Sequence, residues 1–418
     1  MRKIKILNII PSPPPYEAYR NSPRPEVNWE TPDGSWVGIW GYDWADLLGK
    51  AILKVSDEFI YEVWQPDLRA KQIYSHQYDN GLIHKLYPAE MKNQTHGLKL
   101  VKTVASSDML TGIKQLAPGA FILHLNTPGY QINKDLLKIH YYMPKLVQFH
   151  SKLIIPALEM KRIRSNIFAN LSYLNQHHYW KKNKKTYFVY NNAQHCGSLE
   201  KYNHVGIDRI FMGCDFNFWV PGDKKIMKKY FKLDPSITVF SMASRFNELK
   251  QIDKIINVFS EIENQRDFNY KLIIAGHGDA HYENYLRKIA SRLIKKKKLE
   301  FLGYLPDQQL LNLYQASDLF ISASISEGGP VSVIKAIACG IPVMCTRVRG
   351  VDDILNQYQA GLLVDQFDYR QWKEIFINIL TGGINIKLMD REAAKGIFDW
   401  SFIASKFAQI YKKIFKLY

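Results

Sequence analysis

Residues 318–350 read Asp318-Leu-Phe-Ile-Ser-Ala-Ser-Ile-Ser-Glu-Gly-Gly-Pro-Val-Ser-Val-Ile-Lys-Ala-Ile-Ala-Cys-Gly-Ile-Pro-Val-Met-Cys-Thr-Arg-Val-Arg-Gly350. The apolar run Leu319–Ala323 is the pattern of a strand buried on both faces, as in a parallel sheet. It leads into a short loop holding one carboxylate, Glu327, followed by Gly328, Gly329 and Pro330. Proline at a first helical position and Gly340 just past the end bracket a helix of about ten residues. Ile341–Thr346 is the next strand. A strand, a glycine turn and a helix N-terminus gather backbone N–H groups and a favourable dipole around an anionic or oxygen-rich ligand. Glu327 stands at that mouth as an acceptor for hydroxyls, so the chemistry indicated is recognition of a phosphorylated sugar.

Outward from this unit the C-terminal half alternates strands and helices. Strand patterns occupy Ile237–Met242, Lys271–Ala275, Leu299–Leu302, Leu319–Ala323, Ile341–Thr346 and Gly361–Val364. Between the first two, Ile252, Ile255, Ile256, Phe259 and Ile262 form one apolar helical stripe. Asp307 is placed to cap a helix carrying Leu310, Leu311 and Tyr314. Repeated β-α units with short connections predict a doubly wound parallel sheet with right-handed crossovers.

The N-terminal half is also α/β. Its strand patterns are Ile4–Ile10, Phe59–Trp64, Leu82–Leu86, Phe121–Leu125, Leu146–Phe149 and Tyr187–Tyr190. Helical patterns lie around Tyr42–Lys54, Leu98–Leu116 and Lys152–Leu174. Pro11–Ser35, with six prolines in its first fifteen residues, is expected to be extended and stiff. Trp36, Trp40 and Trp44 have helical spacing, and core packing is the first reading of their indoles. The domain change is expected near Asp215–Pro221. Trp400–Tyr418 reads as an amphipathic helix burying Phe402, Ile403, Phe407, Ile410, Tyr411 and Ile414.

At 418 residues the chain exceeds one core, so two domains are expected. A composition of 46% hydrophobic and 23% charged residues is that of a globular protein. No run approaches the ~20 apolar residues that span a bilayer. The basic, then apolar N-terminus is interrupted by Lys5 and Asn8 and reads as a strand rather than a leader. Cys196, Cys214, Cys339 and Cys345 have no metal-ligand or redox spacing, which suits reduced thiols and a cytoplasmic setting. The formal charge of +17 favours anionic partners. No motif that reads nucleic acid is present, so that partner class is set aside. Lysines cluster at Lys181–Lys185 and Lys295–Lys298. Each reads first as a solvated turn or helix end, although Tyr179, Trp180 and Tyr187 would suit the former to an anionic membrane surface.

Further chemistry lies in two other loops. Ser244-Arg-Phe-Asn-Glu-Leu-Lys250 sets Arg245 and Lys250 just before a helix. A lysine there opposes the helix dipole, and a bound diphosphate would remove the conflict. Alone, the pair reads as two solvent-facing cations; beside Glu327 and its glycine turn, the diphosphate reading overtakes that. In Ala275-Gly-His-Gly-Asp279, Gly276 and Gly278 would let a base or ribose approach the backbone, a weak signal by itself.

Taken in order, the Ser-Arg…Lys loop, the Gly-x-Gly turn, Phe-Leu-Gly, Glu-Gly-x-Pro and Ala-x-x-Gly-x-Pro-Val resemble family 4 retaining glycosyltransferases of the GT-B fold. The likeness is good over roughly residues 205–370 and loose over the N-terminal half. It implies two Rossmann-like, doubly wound parallel-sheet domains facing a cleft. Residues 1–217 would hold the acceptor, residues 218–399 would hold a nucleotide-sugar donor, and the 400–418 helix would return to the first domain. Gly213-Cys-Asp215 is similar to the family's Gly-x-Asp before the linker. The resemblance implies no catalytic metal and no cofactor beyond the donor substrate. Arg245 and Lys250 would hold the diphosphate and stabilise the departing charge. Glu327 would accept donor-sugar hydroxyls, with Gly328, Gly329 and Pro330 beside it. His150 would contact the donor sugar or reaction centre, and His124 is the next candidate. Retention would proceed by front-face attack, with the donor phosphate taking the acceptor proton.

One position departs from the family. Lys335 stands where a second glutamate ordinarily accepts hydrogen bonds from the ribose, and an ammonium cannot act as that acceptor. Valine, isoleucine and alanine surround it on nearly every side, so its charge requires a carboxylate or ligand partner. The reading is a glycosyltransferase acting on a cell-surface glycan or lipid-linked acceptor. Its rivals are a sugar-nucleotide epimerase of the same fold, or a non-catalytic GT-B subunit binding a polyanion.

Overall fold

A computed structural model describes residues 3–13, 27–32, 36–39, 44–96, 99–117, 120–126, 135–136, 145–149, 186–191, 205–325, 327, 329–348, 350–365 and 368–416. The chain divides into two compact units, one running to Phe211 and taking up the last helix from Trp400, the other spanning Met212–Asp399.

The strands of the first unit are β1 (Ile4–Ile9), β2 (Val27–Glu30), β3 (Trp36–Ile39), β4 (Phe59–Asp67), β5 (Tyr74–Gln77), β6 (Ile83–Pro88), β7 (Glu90–His96), β8 (Lys99–Ala105), β9 (Phe121–Asn126), β10 (Lys145–Phe149), β11 (Thr186–Tyr190) and β12 (Gly206–Arg209). Eight of them form a sheet in the order β12-β11-β10-β9-β1-β4-β6-β5. All its pairings are parallel except β5 on β6. The Trp44–Val55 and Trp400–Phe415 helices pack on β1, β4 and β9. Ile403, Phe407, Ile410, Tyr411 and Ile414 all enter that core. Each fully buried aliphatic or aromatic side chain contributes roughly 1.5–3 kcal/mol, which fixes the helix to this unit despite its place at the far end of the chain.

The second unit holds β13 (Thr238–Ala243), β14 (Tyr270–Ala275), β15 (Leu299–Gly303), β16 (Leu319–Ser322), β17 (Val343–Thr346) and β18 (Leu362–Val364). Their order is β15-β14-β13-β16-β17-β18, parallel throughout. The chain winds outward from β13 in one direction, then crosses back to β16 and winds in the other. The loops leaving β13 and β16 therefore part at a topological switch point, where doubly wound sheets leave a crevice for ligands. Phe240, Phe259, Tyr270, Phe376 and Trp372 fill the core on one face. At the opposite end of β16, Asp318 accepts hydrogen bonds from Lys224 Nζ at 2.9 Å and the Val239 N–H at 2.8 Å, and pairs with Lys228 at 2.8 Å.

Several local expectations are corrected. Leu98–Leu116 is not one helical segment: Lys99–Ala105 is β8, paired antiparallel with β7, and the helix is Ser107–Gln115. Val101, Thr103 and Val104 are β-branched and suit a strand. The Ser106 hydroxyl then starts the helix by accepting from the Met109 N–H at 3.3 Å. The tryptophan stripe does not form, because Trp36 lies in β3 opposite β2 while Trp44 opens a helix. Part of the proline-rich segment is thus a hairpin. Asp307 is the first helical residue rather than the cap, which is Pro306. Phe402 is 38% exposed, because the buried stripe of its helix passes through Ile403 and Ala404 instead. His150, Lys152–Leu174, Lys181–Lys185 and Cys196 lie outside the described residues.

Candidate functional site

The Val331–Ala338 helix buries Val333, Ile334, Ala336, Ile337 and Ala338. Pro330 stands one position before it, and its carbonyl accepts from the Ile334 N–H at 3.0 Å. At the far end Gly340 has φ +70°, with its N–H on the Ile337 carbonyl and the Ile341 N–H on that of Ala336. This pair of bonds closes the helix and requires a left-handed residue at Gly340.

At the switch point the β13 and β16 loops are joined directly. Lys250 ends a single 3-10 turn, Glu248–Lys250, and Gln251 in left-handed conformation leads into the Ile252–Gln265 helix. The Ile325 N–H donates to the Leu249 carbonyl at 2.9 Å. Lys250 Nζ lies 2.7 Å from Glu327 Oε1, with the two side chains 21% and 12% exposed. The structure thus brings together two residues far apart in sequence, one cationic and one an acceptor. Arg245, on the same loop, is exposed, and no ion pair engages it among the described residues. A guanidinium open to solvent on the loop that also carries the ammonium of a partly buried ammonium–carboxylate pair suits a phosphorylated ligand.

Gly276 and Gly278 are packed against the Arg245 loop. A β-carbon on Gly276 would lie 1.9 Å from the Ser244 carbonyl oxygen, and one on Gly278 would lie 2.0 Å from that of Phe246. On the side where a β-carbon would stand, the backbone that approaches these glycines is therefore the Arg245 loop itself. The Phe246 N–H donates to the His277 carbonyl at 2.8 Å, and the Asp279 N–H to the Phe246 carbonyl at 3.2 Å. Gly276, φ +130°, adds a conformation that side chains rarely adopt.

His277, which stands between the two glycines, is a neighbour of the Arg245 loop that sequence reasoning passed over. Its ring meets Tyr304 edge-on, 5.7 Å between centroids. Burial pushes its pKa below the ordinary 6.5; Glu283 opposes the shift and Arg245 adds to it.

Lys335 has the carboxylate partner that its apolar surroundings require. Its Nζ lies 3.2 Å from Asp307 Oδ1 and 4.1 Å from the centre of the Trp219 ring. It is thus engaged by Asp307 and Trp219. His124 is a core residue: fully buried, its Nδ1 is 2.7 Å from the Tyr411 hydroxyl and its ring stacks on Phe407. Lys296 and Lys298 pair with Glu263 and Asp267, which makes the Lys295–Lys298 run a helix end rather than a ligand site. Cys214, Cys339 and Cys345 are buried free thiols, and burial pushes that of Cys339 up to about 12. A groove of about 880 Å³ borders the 3-10 turn between Asn247, Asp253 and Tyr285, but neither Arg245, Lys250 nor Glu327 lines it. Among the described residues no group of three or more His, Cys, Asp or Glu side chains could hold a metal ion.

Residues 223–395 match the family described as glycosyl transferases group 1. A D-inositol 3-phosphate glycosyltransferase of Segniliparus rotundus is 27% identical over 231 residues, covering 54% of this chain and 51% of that protein. One from Mycobacterium sp. strain KMS is 28% identical over 195 residues, 46% of this chain and 43% of that protein. The chain thus spans about half the length of the curated relatives it matches. Among solved structures, a sucrose-phosphate synthase from Thermosynechococcus elongatus superposes with TM-score 0.71 at 14% identity, covering all of both chains. Anabaena HepE in complex with UDP and glucose gives 0.64 at 14% identity, covering 98% of this chain and 99% of that one. These likenesses carry the fold, and the family match falls on the unit that holds Arg245, Lys250 and Glu327. The chain therefore has the GT-B fold, and its residues 223–395 match the group 1 glycosyltransferase family.

Proposed function

We propose that this protein transfers a sugar from a nucleoside-diphosphate sugar to a glycan or lipid-linked acceptor, with retention of configuration and without a metal ion. The observation that carries the reading is the meeting of Lys250 and Glu327 at the switch point of the second unit. Arg245 and Lys250 hold the diphosphate and neutralise the charge that grows on it as the glycosidic bond breaks. Glu327 accepts hydrogen bonds from donor-sugar hydroxyls and so fixes the ring over the reacting carbon. Attack from the leaving-group side, with a donor phosphate oxygen taking the acceptor proton, retains configuration without a protein base. His150 is assigned to the donor sugar or reaction centre.

The +17 charge favours an anionic acceptor or membrane face, and the three buried thiols suit a cytoplasmic setting. No helix among the described residues is long and apolar enough to cross a membrane. A panel of nucleotide sugars, each with and without candidate acceptors, tests the reading by product analysis. Transfer by the native protein that Glu327→Ala abolishes is expected. Turnover surviving that substitution removes Glu327 from the mechanism, and an altered nucleotide sugar formed without acceptor points to epimerisation instead.

A further inference from the structure

The Lys250–Glu327 pair has a consequence for which ligand the seat retains. Lys250 is the cation that a diphosphate needs, and Glu327 is the acceptor that a sugar needs; with neither present they neutralise each other at 2.7 Å. Both side chains are mostly buried, so water screens the pair only weakly. The loops that bear them are tied by the Ile325–Leu249 backbone bond, which favours keeping the carboxylate beside the ammonium. A nucleoside diphosphate arriving alone must therefore share Lys250 with a carboxylate. Two anions then converge on one ammonium, an unfavourable arrangement in a partly desolvated site. An intact nucleotide sugar brings hydroxyl donors to Glu327 as it takes Lys250, so the carboxylate gains donors where it yields the ammonium.

We infer that the Lys250–Glu327 ion pair acts as an internal competitor of the diphosphate, making the seat hold an intact nucleotide sugar in preference to the nucleoside diphosphate left after transfer. This rests on the donor-binding reading above and adds to it a device that hastens product departure. Arg245, exposed and outside the pair, remains to make the first contact with either ligand.

Isothermal titration of the full chain with a nucleoside diphosphate and its nucleotide sugar tests the inference, after screening uridine, guanosine, adenosine and thymidine forms. The native protein is expected to bind the nucleotide sugar more tightly than the diphosphate. Glu327→Gln, which keeps the shape and removes the charge, should bind the diphosphate about tenfold more tightly than native, a change of about 1.4 kcal/mol. The same variant should bind the nucleotide sugar no more tightly than native, so the two affinities move apart. Equal tightening for both ligands means simple charge repulsion and overturns the inference, as does a diphosphate affinity that is unchanged or weaker. Should the variant not fold, the native protein still decides: a diphosphate bound more tightly than its nucleotide sugar is incompatible with the device. If the native protein binds none of the diphosphates or their sugars, the donor reading itself fails and takes this inference with it.

Discussion

Replacing Gly278 by alanine tests whether the Arg245 loop is held in place by its contact with the glycine turn. The added β-carbon would lie 2.0 Å from the Phe246 carbonyl oxygen, 2.7 Å from its carbon and 2.8 Å from its nitrogen. All three are backbone atoms, so no side chain can swing aside to make room. Relief requires the loop to retreat by more than an ångström, since an ordinary contact begins near 3.4 Å. That movement breaks two bonds, Phe246 N–H to His277 O at 2.8 Å and Asp279 N–H to Phe246 O at 3.2 Å. Each is worth about 0.5–1.5 kcal/mol net, and overpacking adds about 1–3 kcal/mol. A loss of about 2–6 kcal/mol is therefore expected in urea-induced unfolding of Gly278→Ala, read as a lower midpoint at unchanged slope. Because Arg245 precedes Phe246, nucleoside-diphosphate binding should weaken as well. A variant with native stability and native diphosphate affinity would refute the argument, since the turn would then yield without cost.

Other perturbations probe separate parts of the fold. Burial alone would raise the Asp318 carboxyl, but hydrogen bonds from Lys228, the Val239 N–H and Lys224 hold it below 3.8. Its contribution is thus present above that value and lost as pH falls through the lowered one; Asp318→Asn should cost about 1–3 kcal/mol at neutral pH and flatten the acid limb of a stability–pH curve. His277 behaves in the same sense: because its folded-state pKa lies below 6.5, the unfolded chain binds the proton first and stability declines as pH drops beneath that value. His277→Gln should remove that part of the decline, as followed by thermal melts between pH 5 and 7 on the scale of ~6.5 for an unperturbed imidazole. Tyr411→Phe takes a hydroxyl from a fully buried histidine 287 residues away in sequence and should destabilise by about 1–3 kcal/mol, measured by denaturant unfolding.

Much of the second unit was legible because its strands are buried on both faces. Leu319–Ser322 and Tyr270–Ala275 are mostly apolar runs, and each is followed within a few residues by a glycine or proline turn. The amphipathic Ile252–Gln265 helix was equally plain, since its inward stripe has no polar interruption. Misreadings arose where local pattern was ambiguous. Lys99–Ala105 continues into a helix without a glycine or proline between them, so only the partner strand and the Ser106 cap separate the two. That the glycines of the 276–278 turn also receive the backbone of the Arg245 loop was not legible, because composition records permissiveness but not what packs against it.

Residue types and order alone determined the alternation of strands and helices, the apolar face of the terminal helix and the presence of a cationic loop and an acidic loop. Periodicity and turn chemistry act over a few residues, so they can be read locally. The tertiary structure alone decided that Lys250 and Glu327, 77 positions apart, share one ion pair while Lys335 turns to Asp307. It also decided that Gly278 receives Phe246 and that His124 is sealed by Tyr411. Those outcomes depend on strand order in a sheet, which sets which loops meet; no short-range pattern of side chains encodes that adjacency.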